Sequence, residues 1–300
     1  MKINPIITRR LFLAAVLAAF LTTLLLAQRN YAIYEVKSRY QTIAVWDNPD
    51  GLRRQLLFDP KWDGNDAIQS EMNKRDTNKL LLDYAQYMIA SAPLVDKPKR
   101  ILVVGLGGAC IQRYLHNLLS NTIIETAELD PVVLDVAKKY FNLTEDDRQK
   151  VHIGDGRAYI EQSKDKYDII MLDAFSATSI PYMLATQEFL KSVKGHLAAG
   201  GIVCANLWSH QADYGNMLKT YQTVFSELHV LPCPLPWSNH ILIAMPTMQN
   251  LTVDKWKEKA NAFDKAHPTG LKLTEFIERH IAPVIPVGAK VILDKDAPKD

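Results

Sequence analysis

The stretch ILVVGLGG, residues 101–108, decides the fold. Four apolar residues without polar alternation describe a strand buried on both faces. The glycines that follow let the backbone turn sharply and approach a ligand closely. Helical spacing then resumes over residues 111–119. The same unit recurs downstream. Residues 123–129 read as a strand, and residues 131–140 as a helix with Pro131 in its first turn. A short strand at 151–153 leads through Gly154-Asp155-Gly156 into a helix from Arg157. YDIIML, residues 167–172, is a strongly apolar strand. A helix over 186–197 is expected to end at Gly200-Gly201. A strand at 202–206, a helix at 217–228 and a strand pair at 230–233 and 240–245 complete the series. This alternation predicts an α/β fold with a mainly parallel sheet covered on both faces. Ligands bind such sheets at the carboxyl ends of the strands. Gly105, Glu128, Asp155 and Asp173 therefore share one rim, and Asp168 opens its strand at the other.

Outside this core, residues 34–59 predict a β-hairpin, turning at Asp47-Asn48-Pro49-Asp50-Gly51. Residues 78–90 carry a helical apolar stripe, and 92–99 read as a linker. Residues 256–263 and 273–281 predict two C-terminal helices. Residues 11–27 are apolar and uncharged, reaching ~25 Å as a helix, slightly short of a ~30 Å hydrocarbon core. They follow Lys2, Arg9 and Arg10, and no good cleavage site follows them. A single-pass membrane anchor is expected. Basic residues on both sides leave its orientation open, and the Arg9-Arg10 pair also resembles a twin-arginine signal. The expected divisions are an anchor at 1–28, a β-hairpin domain with its connecting helix at 29–95, a nucleotide-binding catalytic domain at 96–248 and a helical extension at 249–300.

With 35 Lys and Arg against 33 Asp and Glu, the charge gives no reason to expect a nucleic-acid partner. Three widely spaced cysteines, Cys110, Cys204 and Cys233, indicate neither a disulfide framework nor a zinc site, and no metal is expected.

The rim residues carry the chemistry. A dinucleotide fingerprint wants a third Gly or Ala where Cys110 stands, which weakens an NAD reading, and a glycine turn can also serve only helix–strand packing. Glu128, 23 residues beyond Gly105, suits a ribose diol, with a surface carboxylate as the alternative. Asp155 suits an adenine amino group, or else a turn. Asp173 ends an apolar strand, where a carboxylate must be solvated, paired or used. His210 is read as a surface or structural residue.

Ser38-Arg39-Tyr40-Gln41, ILVVGLGG, AELDP, GDGR and YDIIMLDAF occur in the order found in spermidine synthases and their membrane-associated relatives. The tail Ile292-Leu293-Asp294-Lys295-Asp296-Ala297-Pro298 is similar to that of the latter. The resemblance implies a Rossmann-like class I S-adenosylmethionine-dependent methyltransferase fold behind an N-terminal β-hairpin domain. It further implies decarboxylated S-adenosylmethionine as donor, an amine such as putrescine as acceptor, and a homodimer. By motif, Gln41, Gln69, Gly105, Gly107, Glu128, Asp155 and Gly156 would hold the donor. Asp173 would bind the amine and act as base.

Two family carboxylates are missing. The acid of the family's GGGDGG loop is replaced by Gly108, and the second acid of its DSSDP pattern by Ser176. Three readings stand: aminopropyl transfer, methyl transfer from S-adenosylmethionine itself, and a non-catalytic membrane-anchored member of the fold.

Overall fold

In the computed structural model the described residues are 15–17, 32–61, 68–175, 179–234 and 239–298. Apart from helical residues 15–17, the predicted anchor at 11–27 lies outside them. Among the described residues no helix is long and apolar enough to cross a membrane.

The main sheet has seven strands: β5 (Arg100–Val104), β6 (Ile123–Glu128), β7 (Gln149–Ile153), β8 (Tyr167–Leu172), β9 (Leu197–Trp208), β10 (Glu227–Pro232) and β11 (Asn239–Met245). Their order is β10-β11-β9-β8-β5-β6-β7. The first four with β9 run parallel, and β11 is antiparallel to both β9 and β10. Alternate residues of each strand feed opposite faces. Ile101 and Val103 pack with α1 (Asp83–Ile89), α2 (Cys110–Leu118), α7 (Val253–Ala266) and α8 (Leu273–Glu278). Leu102 and Val104 pack with α4 (Gly156–Gln162), α5 (Gln187–Gly195) and α6 (Tyr214–Val224). A strand apolar at every position is thereby accounted for. α3 (Pro131–Tyr140) begins at the predicted proline, capped by Asp130 Oδ1 accepting from the Val132 N–H.

The N-terminal region is larger than the predicted hairpin. β1 (Ala32–Lys37), β2 (Thr42–Asp47), β3 (Arg53–Phe58) and β4 (Ile68–Asn73) form a four-stranded antiparallel sheet. Ile43, Val45, Leu56 and Met72 from it share a core with Leu106, Ala109, Val133 and Phe141. This packing brings β4 against the glycine loop.

Several boundaries differ from the sequence reading. The helix expected at 78–90 begins only at Asp83, because Leu80 pairs with Met72 as a β-bridge and Asp76 organises a turn through the Asn78 and Lys79 amides. The expected linker is in part a buried 3-10 turn at Ala92–Leu94. Gly200-Gly201 do not precede a strand but lie within β9. Gly200 has φ +77°, and a Cβ on Gly201 would meet the Tyr167 carbonyl at 2.9 Å, so the pair accommodates an irregularity against β8. α6 ends at Val224, and Leu228 belongs to β10, paired with Ala244. α8 stops at Glu278, and Ile281 instead bridges to Val230.

Strand ends meet tightly at the glycine turn. The Asp173 N–H donates to Val104 O at 2.9 Å and the Gly105 N–H to Ala127 O at 2.9 Å. Gly105 has φ +101°, and a Cβ there would lie 2.3 Å from the Asp173 carbonyl oxygen. Gly105→Ala should therefore destabilise the fold by about 2 kcal/mol or more, read by denaturant unfolding. Gly195→Ala, with nothing within 4 Å of the new methyl, should be near neutral.

Candidate active site

One cavity of about 440 Å³ opens at the carboxyl rim, where β4, β5, β6, β8 and β9 converge. Gln41, Gln69, Gly105, Gly107, Glu128, Asp155, Gly156 and Asp173 all line it. His210 does not; it is exposed.

Each of these positions has a local cause. Gln41 is held by Ser38, whose hydroxyl accepts from the Tyr40 and Gln41 amides and donates to Gln41 O. Ser70 of β4 accepts from the Gly108 N–H at 2.8 Å, pinning the glycine loop to the N-terminal sheet. Gly107 has φ +52° and abuts the Ser70 hydroxyl. A side chain at Gly108 would have no room, since its Cβ would lie 2.8 Å from Phe141 and 2.9 Å from Ser70. The family acid is thus absent here and its starting space is filled. Ser176 lies outside the described residues.

Glu128 is buried at the end of β6, where Oε2 accepts from Leu106 N–H at 2.9 Å and Oε1 from Asp130 N–H at 2.8 Å. Burial raises its carboxyl above the usual range, against those two bonds. Each oxygen retains a second lone pair. Asp155 is at once a cavity residue and the cap of α4, accepting from Ala158 N–H at 2.8 Å.

Asp173 Oδ1 accepts from Asn206 Nδ2 at 2.9 Å, and Asn206 Oδ1 accepts from Asn239 Nδ2 at 2.9 Å. Burial pushes the Asp173 carboxyl up to about 7, opposed by the Asn206 amide. Beside it, Tyr84 donates to Gln69 O at 2.9 Å. Its phenol is kept protonated first by burial and then by the charge of Asp173.

Sequence reasoning missed Asp83, Tyr84, Asp130, Asn206, Trp208 and Asn239, all of which line the cavity. Asn206 and Trp208 were accessible to the rim rule, since they end an apolar strand. Asn239 starts an antiparallel strand and is legible only once the topology is known. Asp130 caps α3 through Oδ1, and its buried Oδ2 has no partner among the described residues. Asp83 opens α1, and burial raises its carboxyl, partly offset by Arg279. Among the described residues no group of three or more His, Cys, Asp or Glu is placed to hold a metal ion.

These features have close parallels. Residues 82–255 match the spermine/spermidine synthase domain. A polyamine aminopropyltransferase of Vibrio vulnificus is 34% identical over 82% of this chain and 81% of its own. Human methyltransferase-like protein 13, solved in complex with SAH, is 29% identical with a TM-score of 0.57, covering 62% of this chain and 92% of that one. A probable spermidine synthase from Corynebacterium glutamicum shares the fold at a TM-score of 0.67 and 19% identity, covering 89% of this chain and 98% of its own. The sheet is accordingly that of the Rossmann-like methyltransferase fold, and with a domain match over more than half its length the chain belongs to the spermine/spermidine synthase family.

Proposed function

We propose that this enzyme transfers the aminopropyl group of decarboxylated S-adenosylmethionine to an amine such as putrescine, with Asp173 as base. The observation that carries the reading is Asp173 itself: a partly buried carboxylate beside the glycine loop, in the same cavity as Glu128. Glu128 would accept from the ribose hydroxyls, Asp155 from the adenine amino group, and the Gly105–Gly107 backbone would border the nucleoside. Gln41 and Gln69 would contact the donor from the N-terminal sheet.

The chemistry fits this arrangement. The amine nitrogen attacks the propyl carbon bonded to sulfur. The new C–N bond forms as the C–S bond breaks, and the electron pair leaves on sulfur to give neutral methylthioadenosine. The sulfonium needs no further activation, but the amine, with an ordinary pKa near ~10, must lose a proton. Asp173 would receive it. The Asn206–Asn239 amide pair would orient the carboxylate, and Tyr84 remains a neutral donor nearby. Asp83, at the start of α1, would supply a second carboxylate to the cavity.

Methyl transfer from S-adenosylmethionine is the second reading. It is favoured by Gly108, because an acid there would repel the carboxylate that this donor retains. Membrane attachment through residues 11–27 is a further part of the proposal, supported by the uncharged apolar run; a full chain that floats free of vesicles after expression would remove it. The homodimer rests on the family resemblance alone.

Asp173→Asn should lower aminopropyl transfer by about 100-fold or more while nucleoside binding persists; full activity in this variant would eliminate the base. In the wild type, kcat/KM for the amine should rise with pH through about 7 as Asp173 ionises, and the variant should lose that limb. Stability should move the opposite way. The folded state holds the proton that the unfolded chain releases near 3.8, so stability falls as pH rises from there through about 7. Above pH 7 the Asn variant should melt higher than the wild type.

A further inference from the structure

Arg157 follows the cavity residues Asp155 and Gly156, at the second position of α4. A cation in the first turn opposes the helix dipole, so the helix does not account for it. Its guanidinium is instead spent on the C-terminal tail and the opposite cavity wall. Nη1 and Nη2 donate to Asp294 Oδ1 and Oδ2 at 2.7 and 2.6 Å, a bidentate pair. Nη1 also lies 3.4 Å from Met183 O and 3.3 Å from Thr186 Oγ1. Nε donates to Glu161 at 2.8 Å. The side chain is only 16% exposed, so this is not a loose surface ion pair.

Met183 belongs to a short 3-10 turn, Tyr182–Leu184, and Pro181, Met183 and Leu184 all line the cavity. The tail grips this turn a second time, because Tyr182 OH donates to Leu293 O at 3.0 Å. The tail itself is fixed to the body. Ile292 N–H donates to Thr220 Oγ1 and Ile292 O accepts from Gln187 N–H, while Asp294 N–H donates to Glu188 at 3.1 Å. Ile292 is buried in the core beneath.

Two parts of the cavity lining, Asp155–Gly156 at the start of α4 and the turn carrying Pro181, Met183 and Leu184, are therefore joined by Arg157 at Met183 O and through Asp294 and Leu293 of the tail. We infer that Arg157 and Asp294 form a latch that positions both walls for substrate, making Arg157 a positioning residue and the C-terminal tail an integral part of the substrate site. The inference rests on the cavity being the donor and acceptor site, as proposed above. It predicts a specific pattern: loss of the latch weakens the capture of both substrates but leaves the chemical step, which Asp173 performs, largely intact.

The test compares full-length wild type with Asp294→Ala, Arg157→Asp, Asp294→Arg and the charge-swapped double variant. Two readouts are used: steady-state kinetics with decarboxylated S-adenosylmethionine and putrescine, and hydrogen exchange of the free protein. Each single variant should raise KM for both substrates about fivefold or more with kcat within about twofold. Exchange should quicken at 155–162 and 179–186 but not in β5 or β8, and the swapped pair should restore both properties. Unchanged exchange in these segments overturns the latch even if the wild type transfers no aminopropyl group, an outcome that would by itself sink only the proposed reaction. A single variant that loses kcat with unchanged KM, or a swapped pair no better than either single, also overturns it.

Discussion

The close passage of the Gly105 backbone under the Asp173 carbonyl is the constraint on which the site depends. β5 and β8 are adjacent parallel strands, and both end at the level where Val104 O meets Asp173 N–H. Any side chain at position 105 would force these ends apart. With glycine there, the glycine loop and the Asp173 carboxylate lie side by side, and Glu128 reaches the loop from β6 through Leu106 N–H. In the proposed reaction strand pairing would bring donor and acceptor chemistry together. Proximity of this kind is a large share of what an enzyme gains for a bimolecular displacement.

The N-terminal sheet and the C-terminal tail complete that rim from opposite sides. Ser70 fixes the glycine loop through Gly108 N–H, and β4 brings Gln69 into the cavity. The tail braces the far walls through Asp294 and Leu293. Phe141 and Ser70 crowd the start of the missing loop acid, whereas Asp83 adds a carboxylate from α1.

Much of this was legible in the sequence where the cause is local. YDIIML gives β8 to the residue, and Pro131 gives the start of α3. The rim rule points from the strand pattern alone to four carboxyl-end residues, Gly105, Glu128, Asp155 and Asp173, and all four line the cavity. Reading failed where the cause is distant. β4, with Gln69, Ser70 and Glu71 in its run, has no clean alternation and exists through pairing with β3 and contact with the glycine loop. Gly200-Gly201 look like a helix stop but absorb a mismatch between β8 and β9. Asn239 and Asp83 enter the cavity from an antiparallel strand and a neighbouring helix, which no spacing rule reaches.

The central claim concerns which adenosyl donor the cavity is built for, and product binding reads it directly. Calorimetric titration of the full chain with methylthioadenosine and, separately, with S-adenosylhomocysteine compares the products of aminopropyl and methyl transfer. The account predicts tighter binding of methylthioadenosine. Tighter binding of S-adenosylhomocysteine would contradict it and assign the site to methyl transfer.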